Sequence, residues 1–219
     1  MDYYIRKTFE VEQRDRDPTE NDYLKKLKNI LSAPPTFGVP PEPSIVVGNV
    51  FLGSLADAEN IPMMKAYRME RIIICENVSP IRRRRIDDMF KPVDIEYNII
   101  PIEDDEEFMV RHYFEMAHRF INEARTLGHR VLIACPGVSR SGVLALSYLI
   151  SQGFTLFEAT RSLKDKRRLL LCNEGFMKQL VSYAREKCRL DNLEGISAPE
   201  YGRPIDLYRI RSAHLPAFL

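Results

Sequence analysis

The chain has no tryptophan, only four histidines and four cysteines, and ten glycines in 219 residues. Each scarcity removes a class of answer. Cys75, Cys135, Cys172 and Cys188 form no CxxC pair, and neither they nor His112, His118, His129 and His214 stand at metal-ligand spacing. A secreted disulfide framework is therefore not expected, nor is a metal or a cofactor. Reduced thiols fit a cytoplasmic or nuclear protein. No apolar run approaches ~18 residues, the usual minimum for a membrane span, and the opening MDYYIRKTFE lacks a signal peptide's apolar core. Charge of one sign is missing too, with 32 Lys+Arg against 31 Asp+Glu. A net charge of +1 gives no reason to expect nucleic-acid or membrane binding through the overall field. What is present, 45% hydrophobic and 29% charged residues, is a globular composition.

Three parts are expected. Residues 1–43 form a charge-rich extension in which PTENDYLKKLKNIL can make a short helix capped by Thr19, followed by the proline-rich APPTFGVPPEP, read as an extended linker. Residues 44–188 form the body, and 189–219 a C-terminal extension. The body opens with SIVVGNVFLG, two β runs around Gly48 and Asn49. A helix broken near Pro62 comes next, then the all-apolar strand RIIIC (71–75) and the strand EYNIIPI (96–102). DDEEFMVRHYFEMAHRFINEARTLG carries Val110, Tyr113, Phe114, Ala117, Phe120, Ile121 and Ala124 at helical spacing, with four acids (104–107) placed at the helix start. A strand VLIAC, a helix from SGVLALSYLI, a helix opened by the Thr155/Glu158 capping box, and a last helix from NEGFMKQLVSYAREK complete it. Alternating strands and helices imply an α/β domain with a mainly parallel central sheet flanked by helices.

The turn CPGVSRSG joins the fifth strand to the next helix. Gly137 lets backbone approach a ligand closely, successive amides entering a helix N-terminus converge on an anion, and Arg140 offers a bidentate clamp for phosphate oxygens. A cysteine in such a field is a candidate nucleophile. The turn by itself equally fits an ordinary strand-to-helix connection with a surface arginine and a small buried cysteine.

The flanking sequence resembles the cysteine-dependent, dual-specificity protein phosphatases. RVLIAC…GVSRSGVLALSYLI is similar to the family's strand ending in His-Cys, followed by two residues, glycine, two more residues and Arg-Ser. VFLGSLADAE, IIICENVSP, IPIEDDEEFMVRHYFEMAHRFI and NEGF match in order, so the resemblance spans roughly 44–188. It implies a dual-specificity phosphatase-like fold with Cys135 as nucleophile, Arg140 as clamp and Asp104 as general acid, passing through a phosphocysteine. Gly137, Val138, Ser139, Arg140 and Ser141 would bind the phosphate, and Ser141 would assist the thiolate or cap the helix.

The pattern breaks at one point. The family keeps five residues between cysteine and arginine; here there are four, Pro136 to Ser139. Aligned backward from Gly-Val-Ser-Arg-Ser, Ala134 falls at the nucleophile and Ile133 at the histidine. Aligned forward along the strand, Cys135 is the nucleophile, Ala134 replaces the histidine, and the loop has lost a residue. Pro136 then adds no amide donor. The resemblance therefore implies a pseudophosphatase that holds phosphorylated Ser/Thr/Tyr proteins or scaffolds signalling partners such as protein kinases. The alternatives are an active phosphatase with a contracted loop and an interaction module that binds no phosphate. IRRRRIDD (81–88) is expected to be a solvated loop, or else a docking site for an acidic or phosphorylated partner. Arg167 and Arg168 are candidates to meet a phosphoprotein beside the cleft, and Cys172 reads as a small buried residue.

Overall fold

The computed structural model describes residues 18–34 and 43–193. Most of the proline-rich stretch, His214 and the tail from 194 lie outside the described residues, and with them the expectation of an extended linker.

The chain runs α1 (Glu20–Ser32), β1 (Ser44–Val47), β2 (Val50–Ser54), α2 (Leu55–Glu59), α3 (Ile61–Ala66), β3 (Met69–Cys75), α4 (Pro80–Phe90), β4 (Glu96–Ile100), α5 (Phe114–Thr126), β5 (Arg130–Cys135), α6 (Ser139–Ser151), α7 (Leu156–Lys164) and α8 (Glu174–Glu186). The sheet order is β1-β2-β5-β3-β4, antiparallel only at the β1–β2 hairpin. Gly48 takes φ +54° in that hairpin, a conformation that glycine adopts without steric cost.

Each face of the sheet buries its own core. Val131, Ile133 and Cys135 point toward one cluster, built with α1, α5, α6, α7 and α8. Leu132 and Ala134 point the other way, to Ala58, Met64, Ile86 and Phe90 from α2, α3 and α4. The two-residue period of β5 thus sends its side chains alternately to the two cores. Because both faces are covered, the strand is apolar throughout. Helix α1 belongs to the first core through Tyr23, Leu24 and Leu27, and Thr19 caps it. The Thr155/Glu158 capping box opens α7.

Two expectations need correction. IRRRRIDD is not a loop: Ser79 accepts from the Arg82 amide (3.2 Å), Pro80 takes the first turn, and Ile86 and Phe90 anchor α4 on the second core. Nor do the acids 104–107 begin a helix. Asp105 accepts the Glu107 amide on its own carboxylate (2.7 Å), a local bond that competes with helix formation. A 3-10 turn at Val110–Tyr113 precedes α5. The broken helix divides at Asn60, which ends α2 and accepts from Met63 N (3.1 Å) to start α3.

Candidate phosphate-binding site

Parallel strands bring their C-terminal ends to one edge of the sheet, where a ligand crevice is expected. β5 ends there at Cys135 and α6 begins four residues later at Ser139. No side chain caps α6, which leaves its first-turn amides open at the positive end of the helix dipole. Pro136 and Gly137 are exposed above it.

Beneath the loop lies the sulfur of Cys135, 3.0 Å from the Ser141 hydroxyl. The alternation of β5 puts Cys135 on the α6 face and Ala134 on the opposite one. Of the two candidates for the nucleophile position, Cys135 is therefore the one whose side chain lies on the loop side, beside Ser141. Yet Cys135 is 0% exposed. Beside it in the sheet, β3 ends in Cys75, one residue beyond the Ile74–Ala134 register pair. Burial holds the Cys75 thiol well above its ordinary range, the neighbouring Cys135 adds to this, and Arg140 opposes it.

Arg140 has a side chain only 16% exposed, and its Nε has no hydrogen-bond partner. That Nε stands 3.9 Å from Asp104 Oδ2. A methyl on Gly137 would lie 3.9 Å from the same oxygen, so the carboxylate overhangs the loop. Asn173 Nδ2 donates to Asp104 Oδ1 (3.1 Å), Asn173 Oδ1 accepts from Phe176 N to cap α8 (3.0 Å), and the Asn173 amide donates to Ser139 Oγ (3.2 Å). Ser139 Oγ also accepts from Cys172 N (3.0 Å), so its hydroxyl ties the loop to the 170s segment. Two glycines let these segments meet. A methyl on Gly142 would overlap the Leu170 carbonyl, and one on Gly175 the Glu106 carbonyl.

Cys135, Arg140, Asp104 and Ser141 thus come together, with Gly137, Val138 and Ser139 forming the connection. Sequence reasoning missed Asn173 as the node joining Asp104 to the loop; its signal was the matched NEGF motif. Arg167 does not face the mouth. It is 4% exposed and donates to the Leu52 carbonyl (2.8 Å), because a buried carbonyl and a buried guanidinium each need a partner. Arg168 is exposed. Cys172 is exposed rather than buried: its neighbours Leu171 and Asn173 take the inward positions, and its own amide donates to Ser139 while its side chain turns to solvent. Among the described residues no His/Cys/Asp/Glu group could hold a metal, and no helix is long and apolar enough to cross a membrane.

A dual specificity phosphatase catalytic-domain model matches residues 50–186. The chain belongs to the dual-specificity protein phosphatase family. Among curated relatives, dual specificity protein phosphatase 1 of Arabidopsis thaliana is 30% identical over 173 residues, 74% of this chain and 83% of that protein. The Slingshot homolog of Xenopus laevis is 34% identical over 143 residues, 64% of this chain. This chain spans only 20% of that protein's length. Crystalline human DUSP28 superposes with a TM-score of 0.59 at 23% identity, covering 70% of this chain and 98% of that one, a likeness of fold.

Proposed function

We propose that this member of the family is a pseudophosphatase: it binds phosphorylated Ser/Thr/Tyr segments of proteins, or scaffolds their kinases, with little or no hydrolysis. The burial of Cys135 carries the reading. Attack on phosphorus needs sulfur within about 3–3.5 Å of the reacting atom and in line with the leaving oxygen, and this sulfur has no exposed surface. Counted forward along the strand, the loop above it is one residue short, Pro136 brings no amide, and Ala134 replaces the family's histidine; counted backward from the arginine, Ala134 replaces the nucleophile itself. A displacement of ~1 Å alone can cost on the order of a hundredfold in rate.

Binding tolerates such defects better. The open amides of α6 and the partly exposed guanidinium of Arg140 supply donors for an oxyanion. Inorganic tungstate or phosphate is expected to raise the melting temperature of the full chain by several degrees, and Arg140→Ala to abolish that rise. An unchanged rise in Arg140→Ala, or none in the wild type, contradicts phosphate binding in this loop.

One observation supports the active alternative: sulfur, hydroxyl, guanidinium and carboxylate gather at one loop, with Cys135 beside Ser141 and Asp104 beside Arg140. In that reading Cys135 attacks phosphorus, Asp104 protonates the leaving oxygen, and water later releases the phosphate from sulfur. The two readings part at turnover.

A further inference from the structure

Helix α4 carries its charges in the reverse of the order a helix prefers. Arg82 to Arg85 fill its N-terminal half and Asp87 and Asp88 stand in its C-terminal half, with no acid in the first turn and no base in the last. The helix dipole favours the opposite arrangement, and like charges on one helix face repel. The fold uses only one of the four arginines: Arg82 pairs with Glu59 and with Glu76 (3.6 Å). Arg83, Arg84 and Arg85 are exposed and, among the described residues, make no ion pair. Asp87, one turn after Arg83, accepts from the Tyr97 hydroxyl instead. Because Ile86 and Phe90 turn inward, Ile81, Arg84 and Arg85, spaced three and four residues apart, share the outward face. Ile81 is 68% exposed, the most exposed large hydrophobic side chain among the described residues.

Nothing inside the described part of the molecule compensates this arrangement, and such departures from local preference are expected at functional surfaces. We propose that the outward face of α4 is a docking surface for an acidic segment of a partner protein, whose carboxylates meet Arg84 and Arg85 and whose apolar side chain covers Ile81. Guanidinium groups match carboxylates in bidentate geometry. The boundary of the patch favours a short peptide over a long polyanion. Four arginines span only about 6 Å of helix, and exposed Asp88 stands one turn beyond Arg84, so a nucleic-acid backbone or an anionic bilayer extending past the patch meets repulsion. The surface does not depend on phosphate binding at Arg140, although α4 follows β3 at the edge of the sheet where β5 ends in Cys135. Exposed pairs contribute little one at a time, so reversing both arginines is expected to weaken docking on the order of tenfold. That difference should fade as screening shortens from ~10 Å at 0.1 M to ~3 Å at 1 M salt.

The experiment titrates the full chain with a labelled peptide of glutamates and serines around a central leucine, beside peptides with glutamine for glutamate or serine for leucine. The glutamate–leucine peptide should bind tightest. Arg84→Glu/Arg85→Glu should weaken it about tenfold, Arg84→Ala/Arg85→Ala by less, and Ile81→Ser should bring it to the level of the leucine-free peptide. Lys25→Glu/Arg119→Glu makes the same change of charge at exposed positions of α1 and α5, in the other layer of helices, and should leave binding within about twofold. Absence of binding, an affinity unchanged in Arg84→Glu/Arg85→Glu, or equal losses in both reversed variants overturns the proposal. So does tighter binding, through the same arginines, of an RNA oligonucleotide or of phosphatidylserine vesicles. Self-association of the wild type that Arg84→Glu/Arg85→Glu abolishes would make the occupant a second copy of this chain, and overturns it as well.

Discussion

At the scale of single residues, reactivity turns on which side chains reach solvent. The four thiols divide cleanly: Cys172 and Cys188 are exposed, while Cys75 and Cys135 are buried. Thiolate reactivity requires access as well as ionisation. Brief iodoacetamide treatment of the native protein, read by peptide mass spectrometry, is therefore expected to alkylate Cys172 and Cys188 and to leave Cys75 and Cys135 unmodified until the chain is unfolded. Rapid alkylation of Cys135 would contradict a sealed sulfur. The residue scale is also where sequence was least informative. VLIAC is apolar at every position, so its pattern could not show which of Ala134 and Cys135 faces the loop. Only pairing with β2 and β3 fixes the faces. Arg167 and Cys172 misled for a related reason, since composition does not show whether a basic side chain points to a carbonyl or to solvent.

At the scale of elements, periodicity did most of the work. The hairpin at Gly48, the strands β3 and β5, the break near Pro62 and the Thr155 cap were legible because each rests on local chemistry. Helix α4 was not. Its run of arginines hides an apolar pair, Ile86 and Phe90, spaced one turn apart and buried on the second core. The charged face is dispensable for folding and the apolar pair is not. Ile86→Ala should lower the unfolding free energy by about 2–5 kcal/mol in urea, whereas Arg84→Ala, at an exposed position, should change it by less than about 0.5 kcal/mol. Equal effects of the two substitutions would return the segment to a solvated loop. The acids 104–107 were legible as a cluster but not as a loop, because the Asp105–Glu107 turn depends on one side-chain bond.

At the scale of the whole molecule, the first core joins helices from both ends of the described chain, and His118 lies inside it. Its Nε2 is 2.9 Å from Ser147 Oγ, amid the rings of Phe114, Tyr148 and Tyr183. Burial lowers its pKa to about 4, with Glu115 opposing the shift and Lys187 adding to it. The unfolded chain takes up this proton near pH 6.5, the folded chain only near 4. Stability is therefore complete above pH 6.5 and falls on acidification toward 4, by up to about 3 kcal/mol from this group. Denaturant titrations across that window should show the slope, and His118→Gln should flatten it; an unchanged slope in the variant would place the acid sensitivity elsewhere. Element order made the family recognisable over the whole body, because separated motifs each report a different strand end.

The measurement that bears most directly on the central claim is hydrolysis of a generic aryl phosphate by the purified full chain, with Cys135→Ser assayed beside it. With the sulfur buried, no turnover above the level of the variant is expected. Turnover that disappears in Cys135→Ser would show that the short loop admits phosphorus to the sulfur, and would make this chain an active phosphatase.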